Sequence, residues 1–166
     1  MVRFHKEDTL LWNLKLWGAP LADEGRSPKK LSLEETLGSG LVLARRRPNV
    51  ARVWPIVFAK NRDELNLDVL AQVARRFHQK RALGFFLSLM QKLLKDARLA
   101  KAERQLREKR SLKTVDFFVI RRGRRARALA AKRTPALARK WGFRMNMPLY
   151  SFVAIFRKFM DDERHG

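Results

Sequence analysis

The residues best placed to do chemistry are the basic side chains of one short segment, Arg121 to Arg133 (RRGRRARALAAKR). The segment holds seven basic residues and no acidic residue. Guanidinium groups bind phosphate oxygens in a bidentate fork, and ammonium groups bind them as point charges. This composition favours contact with a polyanion over catalysis.

The excess of positive charge extends beyond that segment. From Arg98 to Arg144 there are 17 basic and 3 acidic residues, a net charge of +14. On a helical plot the basic residues of the segment Arg121 to Arg133 point in several directions and leave no clean apolar face, which is typical of a flexible arm or of a helix ordered by phosphates. A plainly solvated Arg-rich helix is the structural alternative. The predicted phosphate contacts are Arg121, Arg122, Arg124, Arg125, Arg127, Lys132, Arg133, Arg139, Lys140 and Arg144.

A second basic cluster, Arg45, Arg46 and Arg47, ends a predicted helix. These side chains are predicted to contact phosphates. Positive charge at a helix C-terminus also interacts favourably with the macrodipole, so a purely structural interpretation stays open.

Two aromatic residues, Trp141 and Phe143, lie between Lys140 and Arg144. Exposed rings stack on unpaired bases for about 1–3 kcal/mol each, so these two are the candidates for contact with a single strand. Packing of Trp141 into the core is the alternative.

The elements that must position these side chains are predicted to be helices. Ser32 and Glu35 have the spacing of a capping box, which starts a helix that ends before Pro48. Asn49 is a candidate cap for the next helix, which Pro55 should kink or shorten. Asn66 is a plausible cap for the one after that. Apolar residues recur at helical spacing through this region, so most of the core is predicted between residues 50 and 94.

The flanking segments are less sharply marked. Residues 9–17 have the pattern of a short amphipathic helix, and residues 97–110 that of a largely exposed helix with a Glu103–Arg107 pair. The run VDFFVI, Val115 to Ile120, fits a strand or a helical turn, and we favour a helix because no second strand is evident. Residues 148–160 predict an amphipathic helix that docks on the body.

Together these patterns predict an all-α fold: a single compact domain of about six to seven helices with a basic C-terminal half. Within it we expect an N-terminal helix and connector (residues 1–30), a helical core (31–96), a basic exposed region (97–144) and a C-terminal helix with an acidic tail (145–166).

The whole-chain composition excludes several functions. The 166 residues include 38 Lys or Arg and 16 Asp or Glu, so the formal charge is +22, and there is no cysteine. Disulfides and cysteine-based metal or thiol chemistry are therefore ruled out. None of the three histidines has a visible acid partner or metal-ligand spacing, so we predict no catalytic residues, no metal and no cofactor. The longest uncharged stretch, Met145 to Phe156, is too short to span a membrane, and a cytoplasmic location is expected.

These observations predict a non-enzymatic nucleic-acid-binding protein that contacts phosphates with limited sequence specificity. The alternative is a protein–protein module, such as an antitoxin, inhibitor or assembly subunit, whose basic surface binds an acidic protein. Membrane attachment through residues 148–160 is a poor match, because the polar face of that helix carries few bases. The choice between DNA and RNA, the sequence specificity and the oligomeric state stay open.

Overall fold

The computed structural model describes residues 2–22, 26, 29–118 and 123–166. This part of the chain folds into nine helices and two very short strands, which confirms the all-α single domain and exceeds the expected six to seven helices. The basic segment and residues 136–140 form separate helices, which accounts for the larger number. The helices are α1 (Glu7–Leu16), α2 (Leu33–Ala44), α3 (Pro48–Lys60), α4 (Leu67–Arg76), α5 (Lys80–Leu94), α6 (Ala97–Leu106), α7 (Arg124–Arg133), α8 (Ala136–Lys140) and α9 (Leu149–Asp162).

Side-chain caps fix several helix starts. The hydroxyl of Ser32 accepts a hydrogen bond from the Glu35 amide at 3.1 Å. The side chain of Asn66 accepts from the amides of residues 68 and 69, so both predicted caps are confirmed. Helix α3 begins at Pro48, one residue before the expected cap Asn49, because proline lacks the amide that a first turn leaves unpaired anyway. It continues through Pro55 to Lys60.

The core lies among α2, α3, α5 and α9. Trp54 is fully buried, stacks on Phe86 with ring centroids 4.6 Å apart, and donates its indole N–H to the carbonyl of Leu37 at 3.0 Å. Residues 50–94 supply 18 of the 39 buried residues of the core cluster, so the prediction that most of the core lies there was wrong; the N-terminal helices and the C-terminal segments supply the rest. Phe152 of α9 packs against Phe86, which confirms the docking of the last helix.

The run VDFFVI does not begin as a helix, so that expectation was wrong. Val115–Asp116 forms strand β1, which pairs in parallel with β2, Phe143–Arg144. The amide of Val115 donates to the carbonyl of Gly142 at 3.0 Å. Each strand has two residues and its partner is far along the chain, so no local periodicity indicated the pairing; residues 119 and 120 lie outside the described part.

One arginine holds this strand pair against α5. The guanidinium of Arg81 donates to three main-chain carbonyls, those of Lys113, Trp141 and Gly142, at 2.7 to 3.0 Å. Gly142 has φ +71°, and a Cβ there would lie 2.0 Å from the Arg81 guanidinium, so both backbone geometry and space favour glycine. The strand pair is thereby fixed beside the basic region.

Candidate nucleic-acid interface

Helix α7 presents its basic side chains to solvent. Ala130 is the buried residue of this helix, whereas Arg124, Arg125, Arg127 and Lys132 are exposed. The basic segment is therefore helical, and the side of it that faces the body carries small residues, the buried Ala130 and the half-buried Ala126, rather than a stripe of large apolar side chains. The predicted contacts Arg121 and Arg122 lie outside the described residues.

The basic residues at the start of α7 oppose its helix dipole. Arg124, Arg125 and Arg127 lie in or next to the first turn, where the macrodipole is positive and anions are favoured. Within the described part of the chain, no carboxylate lies within ion-pair distance of these three side chains or of Lys132. An external anion near the first turn would interact favourably with the helix dipole and would supply these cations with a negative partner.

The C-terminal end of α7 is firmly attached. The hydroxyl of Thr134 donates to the Ala130 carbonyl at 2.7 Å and accepts from the Met145 amide at 2.9 Å. Arg139 donates to the carbonyl of Ala131 at 3.0 Å. These bonds fix the orientation of the helix relative to the body. Its exposed basic side chains therefore have a defined position.

Two adjoining grooves continue the basic surface away from α7. The first, about 420 Å³, lies between residues 107–114 and α8 and is lined by Arg107, Arg110 and Lys140. The second, about 440 Å³, lies against the end of α7 and is lined by Arg144. Arg139 borders both grooves. The structure thus brings the predicted contacts Arg139, Lys140 and Arg144 together beside α7, and Arg133 at the end of α7 donates to Asn146 at 3.4 Å.

The few acidic residues of this region are already paired. Glu103 is 4% exposed and accepts from Arg107 at 2.8 Å and from Lys140 at 2.6 Å. Glu108 pairs with Lys80 at 2.9 Å. The cations between residues 98 and 144 that have no carboxylate partner within the described residues are Lys101, Arg104, Lys109, Arg110, Lys113, Arg124, Arg125, Arg127, Lys132, Arg133 and Arg139.

The pKa values of Glu103 and Glu108 lie below that of an ordinary glutamate. Burial raises the pKa of Glu103, but hydrogen bonds from Lys140 and Arg107 outweigh it, and the net pKa lies below its ordinary value. The hydrogen bond from Lys80 lowers the pKa of Glu108. Asp116 accepts from Arg144 at 2.7 Å, so each of the three acids neutralises a neighbour without leaving the surface negative.

The proposed stacking residues are not available for stacking. Trp141 and Phe143 are each 2% exposed, and the Trp141 indole N–H donates to the hydroxyl of Ser88 at 2.8 Å. That prediction was wrong, and the core alternative for Trp141 is right. The apolar surface of α5 buries the Trp141 ring at Gly84, where a Cβ would lie 2.2 Å from the indole.

The second basic cluster is divided between structural contacts and solvent. Arg45 turns inward, donates to the carbonyl of Asp116 at 2.7 Å and lies 5.1 Å from the centre of the Phe143 ring. Burial, aided by the charge of Arg81, lowers the pKa of Arg45. Arg47 pairs with Glu7 at 2.6 Å, while Arg46 is exposed. Arg45 and Arg47 therefore follow the structural interpretation.

Sequence reasoning missed the contacts of Glu103 and Arg81 at this surface and the exposure of Tyr150 on α9. Glu103 was noticed as a partner of Arg107, but its burial and its second partner Lys140 join segments 37 residues apart. Arg81 was not among the predicted contacts, and its guanidinium donates to main-chain carbonyls. Tyr150 is 77% exposed, and its position off the apolar face of α9 was the available signal.

Comparisons with protein-family models, curated proteins and solved structures gave no match to this chain. The described residues contain no group of three or more His, Asp or Glu side chains placed to hold a metal ion. Nor does any helix among them combine the length and apolar character needed to cross a membrane.

Proposed function

We propose that this protein binds nucleic acid, without catalysis, through α7 and the two grooves beside it. The observation that carries this proposal is an exposed helix whose cations have no carboxylate partner within the described residues and which has Ala130 as its buried residue. A helix that is polar on most sides needs an external source of stability, and a phosphate backbone supplies one.

The chemistry of the surface favours phosphates over bases. Arg and Lys side chains supply the contacts, and contacts to phosphate position a protein on nucleic acid without reporting the sequence. Asn and Gln, which recognise adenine, do not occur in α7. Arginine can also bind guanine, so we expect at most a preference for guanine and otherwise limited sequence specificity.

The same surface is less suited to an acidic protein partner. Protein interfaces usually have an apolar core surrounded by a polar rim. The large exposed apolar side chains in the described C-terminal half are Leu129 and Tyr150, which lie on different helices, α7 and α9. A partner protein would find charge here but little apolar area to bury.

Fluorescence anisotropy with labelled oligonucleotides over a salt series tests the proposal. If 6–10 phosphates are neutralised, affinity should fall by about 10³ to 10⁵ between 50 and 200 mM salt. Polyglutamate at equal charge concentration is the competitor that represents an acidic partner, and it should displace the nucleic acid poorly. Salt-independent binding, or displacement by polyglutamate as effective as by unlabelled nucleic acid, would contradict the proposal.

A further inference from the structure

We infer that α7 enters the major groove of duplex DNA with its outer edge first, that is, with the side of the helix that faces away from the body of the protein. This inference rests on the proposed function and names its ligand. The orientation of the helix comes from its attachment. Ala130 is buried and Ala126 is half-buried, and the Thr134 hydroxyl follows them at the same four-residue spacing. This row faces the body of the protein, because residues four apart lie on one side of a helix.

The side of α7 that points away from the body is its outer edge. The position on this side that lies farthest from the body, the apex, holds a small residue. At about 100° per residue, Ala128 lies about 160° from both Ala126 and Ala130. It is exposed. A methyl group at the apex lets the helix backbone approach a surface more closely than any longer side chain would.

Long basic side chains flank that apex on both sides. Measured around the helix from Ala128, Arg124 and Arg127 lie roughly 40° and 100° to one side, and Lys132 and Arg125 roughly 40° and 60° to the other. All four are exposed, and none has a carboxylate partner among the described residues. The helix therefore carries two cations on each flank of a small edge.

This shape matches a groove with phosphates on both walls. The major groove of B-DNA is about 12 Å wide and admits an α-helix. With Ala128 toward the base edges, the two flanking pairs of cations reach the two opposing backbones at once. The major groove of duplex RNA is deep and narrow, so it does not accept a helix in this way.

A single strand offers a poorer match. Stacking on aromatic rings supplies much of the affinity for single strands, and Trp141 and Phe143 are buried. Tyr150 is the exposed aromatic ring in the described C-terminal half. One ring does not form a platform for successive bases.

Binding of one DNA duplex, its separated strands and a duplex RNA of the same sequence, at equal phosphate concentration, tests the ligand. We expect the DNA duplex to bind tightest, on the order of tenfold above the other two. Equal affinity for the single strands or for duplex RNA would overturn the inference and leave the proposed function intact. Absence of salt-sensitive binding to all three would overturn the proposed function itself.

A steric variant tests the orientation. Ala128→Leu keeps the charge and the helix propensity of α7 but lengthens the apex. It should weaken duplex DNA binding on the order of tenfold, with single-strand binding unchanged. Ala97→Leu, at the exposed start of α6, is the matched control and should bind as the unaltered protein does. Equal duplex affinity of the two variants would overturn the edge-first orientation.

Two charge variants test the contact with both walls. Arg124→Gln with Arg127→Gln removes one flank, and Arg125→Gln with Lys132→Gln removes the other. Each should lower the slope of log affinity against log salt by about 1.8, the value for two phosphate contacts. If one double variant retains the original slope, the helix touches one wall only and groove insertion is wrong.

Discussion

Glu103 is the residue on which the basic surface depends for its internal order. Its carboxylate lies beneath the surface and binds Arg107, the residue that follows its own helix, and Lys140 from α8. Because a buried carboxylate needs charged partners, this contact fixes two cations that would otherwise repel each other. The basic side chains around them that have no carboxylate partner among the described residues are then available to an external anion.

Replacing Glu103 should destabilise the fold. Glu103→Gln removes the charge that holds Arg107 and Lys140, and we expect a loss of about 1–2 kcal/mol in the free energy of unfolding. The cost stays moderate because the two cations are 52% and 40% exposed and remain hydrated. Urea unfolding measures it. The control Glu108→Gln, at an exposed pair, should change little, and equal effects of the two variants would contradict a special role for Glu103.

The contribution of Glu103 should also depend on pH. Its pKa in the folded protein lies below the ordinary 4.5, so the stabilisation is fully present above pH 4.5 and is lost as the pH falls through the lowered pKa. The difference in unfolding free energy between the unaltered protein and Glu103→Gln should therefore be constant near neutral pH and shrink in strong acid. A difference in unfolding free energy that grows on acidification would contradict a lowered pKa of Glu103 in the folded protein.

Gly84 should be intolerant of a side chain. A Cβ there would overlap the Trp141 ring at 2.2 Å, so Gly84→Ala should cost about 1–3 kcal/mol through overpacking. Gly40→Ala is the matched control inside another helix, where the nearest atom of Leu14 lies at an ordinary 3.6 Å. It should be neutral or stabilising, because alanine favours helix over glycine. Thermal unfolding compares the two, and equal stability would contradict the close packing of Trp141.

Among the elements, α7 combines a defined position with little intrinsic stability. It has ten residues, and its first turn is basic, whereas isolated helices of this length are marginal in water. Its attachment lies at the C-terminal end, at Thr134 and Arg139. Its stability should therefore depend on what binds to it.

Hydrogen exchange can measure that dependence. In the free protein, the amides of α7 should exchange faster than those of the buried helix α5, and added DNA should slow exchange in α7. Helix α4, whose bases lie outside the proposed interface, serves as the internal control and should not change. Exchange in α7 that is the same with and without DNA would contradict its role as the contact element.

The helices were largely predictable from the sequence, because their signals are local. Ser32 and Asn66 are followed directly by the amides that they cap. The β1–β2 pair and the burial of Trp141 were not predictable, since they depend on partners tens of residues away: Val115 pairs with Phe143, and Trp141 packs at Gly84. The basic segment was recognised because its excess of arginine is visible in the local composition. The inward orientation of Arg45 was not predictable, because it depends on contacts with the distant residues Asp116 and Phe143.

At the scale of the whole molecule, the charge is unevenly distributed. The first 40 residues have equal numbers of acidic and basic residues, and residues 100–166 carry a net +13. Within the latter region Glu103, Glu108 and Asp116 are held in ion pairs. A binding reaction driven by phosphate should therefore depend on where a cation lies and not only on the total charge.

Two variants of equal charge separate position from total charge. The first variant changes Arg124, Arg125 and Arg127 together to Gln. The second, the control, changes three exposed basic residues outside α7 to Gln: Arg75, Lys92 and Arg157. Both lose three positive charges. The affinity of each for duplex DNA over a salt series is the most direct test of an interface centred on α7.

The α7 variant should lose about 2.7 from the slope of log affinity against log salt, whereas the control should keep a slope and affinity near those of the unaltered protein. Equal losses in the two variants would show that DNA responds to overall charge, and would contradict a localised interface.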